Sequence, residues 1–335
     1  MKIIKLIATL TFYLVANICI AEEVKTLKGF TMGNSYSVKW KEETISPNRM
    51  HLLSNKINAR LEEINKAMSN WDKDSELSLL NNANGNQVAI SQELEFVINE
   101  AIRINHITQG ALDITVDPLI SLWGFGESGQ TYNVPTSTEI TKTLKFVGVD
   151  KIDLEDGVLS RSSNKVTINL SSIAKGFAVD AIATILEESN ITNYLVDIGG
   201  ELRINGTNLK NKSWSIGIDK PFAYSSGQAE VITPKNSAVA TSGNYRKYFE
   251  SGGEHYSHII DPKTGKPVKY KIVSATVITE SCMTADGLAT AFMVLPAKKS
   301  IAIANKHNIP VMLIEDKFGK LITHYSDSFK KSQQL

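Results

Sequence analysis

The spacing of apolar residues along the chain alternates between helical and strand-like periods. Leu53, Ile57, Leu61, Ile64 and Met68 recur every three or four positions, which puts them on one face of a long helix, and Ser46 with Pro47 supplies a cap and a favoured first residue. A second helix opens at Ser91 and carries Leu94, Val97, Ile98, Ala101 and Ile102. The spacing predicts a third over 172–189, on Ile173, Phe177, Ala181 and Ile185 with Asn190 as its stop, and a fourth over 284–295, on Leu288, Phe292 and Leu295. Strand-like runs fall at 194–198, 214–218, 272–279 and 311–314. No linker, repeat, heptad or low-complexity block interrupts this order, so the chain reads as α+β, or mixed α/β, with helices packed on mixed sheets.

The first 21 residues follow a different rule. Lys2 and Lys5 give a positive start, Ile7 to Ile20 is mostly apolar, and Cys19-Ile20-Ala21 precedes the acidic pair Glu22-Glu23, the pattern of a signal peptide cut after Ala21 and of an exported, periplasmic protein. The apolar run is short for an uncut membrane anchor, and Ile18 stands where a small residue is usual before a lipidated cysteine, so an inner-membrane lipoprotein through Cys19 is the weaker reading. Removing the leader takes two lysines and no acid, turns the formal charge from +1 to −1, and leaves Cys282 as the one cysteine, so no internal disulfide is expected. With 335 residues, 42% of them hydrophobic and 21% charged, the chain can bury a sizeable core as one large or two medium domains. It has no basic excess and no Lys/Arg run, which argues against nucleic acid as a partner.

Candidate chemistry lies where polar residues break the apolar pattern. The run from Gly110 to Pro118 sets Asp113, Thr115 and Asp117 beside a glycine, with Trp123-Gly124-Phe125-Gly126 following. Accessible backbone amides near an aromatic suit a phosphate-bearing ligand with a planar ring, while Asp113 and Thr115 read equally well as a turn and cap, with Trp123 in the core. Asn169 to Gly176 crosses a strand-to-helix junction whose positive end attracts anions, and Lys175 adds a charge there; alternatively Ser171 or Ser172 is an N-cap and Lys175 a solvated side chain. Asp286 and Thr290, four apart, put two hard oxygens on one face at an exposed helix start, which suits Mg²⁺ but also occurs without metal. His258 and Asp261 have the form of a proton acceptor and its orienting carboxylate, or of a structural histidine, and Thr264-Gly265 reads as a turn. His51, His106, His307 and His324 have no such company, and there is no phosphate loop, dinucleotide fingerprint or Cys/His zinc spacing.

In order along the chain, Met32-Gly33 with Tyr36, Met68-Ser69-Asn70-Trp71 with Ser75-Glu76-Leu77 and Asn81, Gly110 to Gly126, Asn169 to Asp180, Asp197-Ile198-Gly199-Gly200-Glu201, Ser242-Gly243-Asn244-Tyr245, His258 to Pro267, and Ala285-Asp286 with Thr290 resemble the blocks of the ApbE family of FAD:protein FMN transferases. The resemblance runs from about Met32 to Leu295 and implies one flavin transferase domain over 22–335, built from two intertwined subdomains. It implies FAD as substrate, Mg²⁺ as cofactor, and transfer of the FMN half to a Ser or Thr hydroxyl of a target protein with release of AMP. The targets would be exported proteins, such as subunits of membrane redox complexes. Met32, Trp71, Ala111, Leu112, Asp113, Asn169, Lys175 and Ile260 fall where the family contacts FAD. Ser172, through its carbonyl or its hydroxyl, Asp286 and Thr290 fall on its metal ligands, and His258, supported by Asp261, matches a histidine that assists the acceptor hydroxyl.

These residue types agree with the implied chemistry. Attack of a neutral hydroxyl on a pyrophosphate needs charge neutralisation, in-line positioning and loss of one proton, which Mg²⁺ with Lys175 and a base such as His258 supply. Trp71 and Trp123 are candidates to cover a flavin or adenine ring. The chain departs from the family pattern at Asn169, often Asp, and at Asn34, which replaces a hydroxyl residue. Two rival functions stand beside it: a Mg²⁺-dependent FAD pyrophosphatase, which uses the same residues and gives FMN and AMP, and a non-catalytic FAD carrier, which would tolerate loss of Asp286 or His258. The intact metal and His258 blocks argue against the carrier.

Overall fold

The computed structural model describes residues 23–42, 46–126, 132–221, 227–243, 248–269 and 272–334. The leader, with Cys19, and Asn244-Tyr245 of the sixth motif block lie outside the described residues.

An eight-stranded sheet whose strands stand side by side in chain order organises these residues: Glu23–Thr31, Asn34–Glu42, Tyr194–Ile198, Glu201–Asn205, Ser237–Gly243, Ile272–Thr279, Val311–Lys317 and Lys320–Tyr325. Every neighbouring pair is antiparallel, where sheets of mixed direction were expected, so the α+β class holds with a meander at its centre. Three connections are two-residue turns, Met32-Gly33, Gly199-Gly200 and Phe318-Gly319, each with both residues at positive φ, the backbone that matches the twist of a tight hairpin. The other connections are long excursions, and these carry the helices and the chemistry.

The first excursion holds Pro47–Met68 and Gln92–Ile107 and ends with Ala174–Glu188. Ser46 Oγ accepts from Arg49 N at 3.2 Å and Ser91 Oγ from Leu94 N at 3.2 Å, and the five apolar residues read from the spacing of the first helix are its buried face. Ala174–Glu188 starts later than the spacing suggested and is turned: Ala178, Val179, Ile182, Ala183 and Leu186 are buried, while Phe177 and Ala181 are half-buried. So many of its residues are apolar that the sequence offers more than one face, and packing chooses. Asn190, at φ 61°, ends it as expected.

Cys282–Val294 is the central helix. All of its residues except Thr284 and Thr290 are buried, between the sheet and the helices of the first excursion. Cys282 is a buried free thiol. The opposite face of the sheet is covered by a second core around Trp214, Ile216, Ile218, Ile232 and Phe329. A third, smaller core joins Leu119, Trp123, Ile140 and Val147 to Phe249 and Ile260 from the excursion between Ser237–Gly243 and Ile272–Thr279.

Candidate functional site

The site forms where the starts of two helices meet. Asp286, on the Cys282–Val294 helix, accepts through Oδ2 from Gly176 N near the start of Ala174–Glu188 at 3.0 Å. Asp180, on that second helix, accepts in return from Cys282 N and Met283 N at 2.9 Å each and from the Ser281 hydroxyl at 2.7 Å. Each helix thus supplies the carboxylate that satisfies free amides of the other, where a carboxylate also meets the positive end of the dipole. No side chain of its own caps Ala174–Glu188; its cap position is Ile173, so neither Ser171 nor Ser172 is the N-cap. Gly176 permits the approach, because a Cβ there would lie 2.3 Å from Cys282 O.

Lys175 stands at this junction. Its Nζ lies 2.9 Å from Glu201 Oε1 and 3.6 Å from Asp286 Oδ1, so it is a paired group rather than a solvated one, yet its side chain keeps 24% of its exposure. Burial works against the ammonium, but Asp286 and Glu201 together hold its pKa above the ordinary lysine value. Burial pushes Glu201 up to about 7 against the pull of Lys175, and raises Asp286 as well. Asp286 is 2% exposed, so it is a buried residue in the second turn and not part of an exposed helix start: the central helix has no solvent face there. Glu201 Oε2 is buried with no hydrogen-bond partner among the described residues. One turn beyond Asp286, the Thr290 hydroxyl lies 3.2 Å from that of Ser242, and Ser172 is half-buried just ahead of Lys175.

The neighbouring segments are pinned to this centre through their backbones. Asn70 and Asn81 both donate to Ile168 O, at 3.1 and 2.8 Å, and accept from Leu170 N and Ile168 N, which fixes the segment that leads into Asn169; it belongs to no sheet, so the helix start follows a side-chain-pinned loop and not the strand expected from the sequence. Asn169 N donates to Ile114 O at 2.7 Å, and its side chain donates to Asp117 at 3.0 Å. Ala111, Leu112 and Asp113 are buried; the Asp113 carboxylate takes Thr115 N and its hydroxyl at 2.9 and 2.5 Å, the turn-and-cap arrangement, and burial raises its pKa. Leu112 and Ile173 both reach the position of Gly287, beside Asp286. Met32 is half-buried in its hairpin turn, its carbonyl held by Asn34 Nδ2 at 2.8 Å. Trp71 is 63% exposed on a turn organised by the Ser69 hydroxyl, whereas Trp123 is buried and donates to Gly265 O at 2.8 Å, so of the two only Trp71 presents a ring surface.

His258 and Asp261 lie in the third core's excursion. His258 is half-buried, edge-on to Phe125 with ring centres 6.4 Å apart. Asp261 Oδ1 accepts from Lys263 N at 2.9 Å in the turn that Gly265, at φ 66°, closes, and Ile260 is buried against Pro267 in a short hairpin. Among the described residues no three His, Cys, Asp or Glu side chains are grouped to hold a metal. The structure therefore joins Lys175, Asp286 and Thr290 around one centre, with Asn169 and the 111–113 segment tied in by backbone. The sequence reading gave no role to Glu201 or Asp180, although both fall in its motif blocks; an acid after two glycines reads as an exposed turn, and only long-range packing buries it.

The amides at both helix starts are taken by carboxylates, so what this centre offers a ligand is the Lys175 ammonium and a set of hard oxygen donors. The chain belongs to the ApbE family, whose model matches residues 32–313. It is 42% identical to the FAD:protein FMN transferase of Vibrio cholerae over 312 residues, 92% of each chain. In three dimensions it is similar to the flavin transferase ApbE from Vibrio cholerae, with a TM-score of 0.85 and 41% identity over 93% of this chain and 99% of that one. It is also similar to the apo form of the flavinyl transferase ApbE of Pseudomonas stutzeri, with a TM-score of 0.86 and 29% identity over 94% and 98%.

Proposed function

We infer that this chain is an FAD:protein FMN transferase, an enzyme that moves the FMN half of FAD onto a target protein. The observation that carries the reading is the Lys175 ammonium set between Glu201 and Asp286 at the meeting of two helix starts, in a chain that matches the family nearly end to end. The acceptor is a Ser or Thr hydroxyl and AMP is the leaving product. Lys175 neutralises charge on the pyrophosphate, the exposed ring of Trp71 stacks on the ligand, and Met32, the 111–113 backbone, Asn169 and Ile260 complete the FAD contacts. His258 takes the proton of the incoming hydroxyl, with Asp261 shaping the turn that follows it.

The donor set fits Mg²⁺. Asp286, Thr290 and Ser172 offer hard oxygens, and Glu201 Oε2 is buried with no hydrogen-bond partner among the described residues. Bound there, the ion would stabilise charge on the phosphates. Residues 1–21 support an exported location, where the acceptors would be found.

The test is mass spectrometry of a flavin-accepting partner domain after incubation with the protein, FAD and Mg²⁺, with AMP and free FMN measured in parallel. A partner heavier by one FMN, with AMP formed and little free FMN, is the expected result. AMP with free FMN and an unmodified partner would make the chain a pyrophosphatase, and FAD retained with neither product would make it a carrier.

A further inference from the structure

We propose that Glu201 is a positioning residue for the cation site: it holds the Lys175 ammonium off Asp286 and so keeps Asp286 Oδ1 open to a divalent ion. This rests on reading Asp286 as a metal ligand. The two oxygens of Asp286 have different engagements. Oδ2 is committed to Gly176 N at 3.0 Å, while Oδ1 faces Lys175 Nζ at 3.6 Å, beyond hydrogen-bond distance. What keeps that gap is the hydrogen-bonded contact of the same ammonium with Glu201 Oε1 at 2.9 Å.

Glu201 is fixed by the sheet. It opens the strand Glu201–Asn205, paired to Ile198 directly across the Gly199-Gly200 turn, and it is 4% exposed. Among the described residues its second oxygen is buried without a hydrogen-bond partner, an arrangement that costs stability and that packing alone does not call for. Without Glu201 the ammonium would face a single, buried carboxylate, where attraction draws the pair into contact, and a closed Lys175–Asp286 pair competes with any cation for the same oxygen.

The test is binding of Mn²⁺, as a paramagnetic stand-in for Mg²⁺, to the purified protein without FAD, read by electron paramagnetic resonance. The chains compared are wild type, Glu201→Leu, Glu201→Gln and Asp286→Asn, each checked for folding by thermal melting, with Glu201→Met in place of Glu201→Leu should that chain not fold. Glutamine keeps an oxygen that can accept from Lys175; leucine and methionine do not. The expected result is an affinity weakened on the order of tenfold in Glu201→Leu and by less than about threefold in Glu201→Gln. A crystal structure of Glu201→Leu is expected to place Lys175 Nζ in hydrogen-bond contact with Asp286 Oδ1. Unchanged Mn²⁺ affinity in Glu201→Leu beside a weakened Asp286→Asn overturns the proposal and leaves the metal reading standing. Equal losses in the leucine and glutamine chains also overturn it, by assigning the effect to charge alone. An Asp286→Asn chain that binds Mn²⁺ like wild type overturns the metal reading and the proposal with it.

Discussion

Glu201 carries a proton to higher pH when folded than when unfolded, because burial lifts it from the ordinary carboxylate value of 4.5 to about 7. Between those two values the folded chain holds a proton that the unfolded chain has released, so this group's contribution to stability is full below about pH 4.5 and declines as pH rises toward 7. Glu201→Gln has no such charge to bury. Its melting temperature is therefore expected to gain on that of wild type across this window and to run parallel to it above, and thermal melting over a pH series checks this; a constant difference from acid to neutral pH would contradict it. At this scale the sequence was partly legible. Lys175 and Asp286 announce themselves as charges in apolar helices, but Asp286 was read as exposed because the burial of the helix around it on nearly all sides leaves no amphipathic signal.

The unit that matters among the elements is the pair of helices Ala174–Glu188 and Cys282–Val294, in contact at their starts. Gly176→Ala would place a Cβ 2.3 Å from Cys282 O, with backbone on both sides and no flexible side chain to yield. The helices would have to separate, at an expected cost of about 1–3 kcal/mol or more, measurable by denaturant unfolding, and FAD binding should weaken with it because Lys175 is the adjacent residue. Individual helices were readable from spacing and caps, as Ser46 and Ser91 show. Their mutual capping was not, since Asp180 and Asp286 are ordinary mid-helix acids until the other helix is brought alongside.

Across the whole molecule the chemistry is divided among three excursions of one meander and one of its strands. Lys175 stands in the first excursion, Asp286 in the one that follows Ile272–Thr279 and Glu201 on a strand, while His258 stands beside the third core, where Tyr132, Phe249, Tyr256 and Trp123 follow one another at 4.7, 5.0 and 5.5 Å. His258→Ala is accordingly expected to slow FMN transfer by about a hundredfold or more while FAD affinity changes far less, a split that rate measurements and FAD titration resolve. Parallel loss of both would make His258 a ligand-binding residue instead. The alternation of helix and strand was visible in the sequence, but the chain-order sheet was not, because strands such as Asn34–Glu42 and Tyr194–Ile198 find each other across the entire first excursion. The two helix starts are likewise completed across 110 and 102 residues. During synthesis, a chain that has not yet emerged past Asp286 leaves the amide of Gly176 without its acceptor and Lys175 without one of its two carboxylates. The catalytic centre therefore has no half-built form: it is absent from any product cut short before that point, and comes into being when the later part of the chain closes onto the earlier.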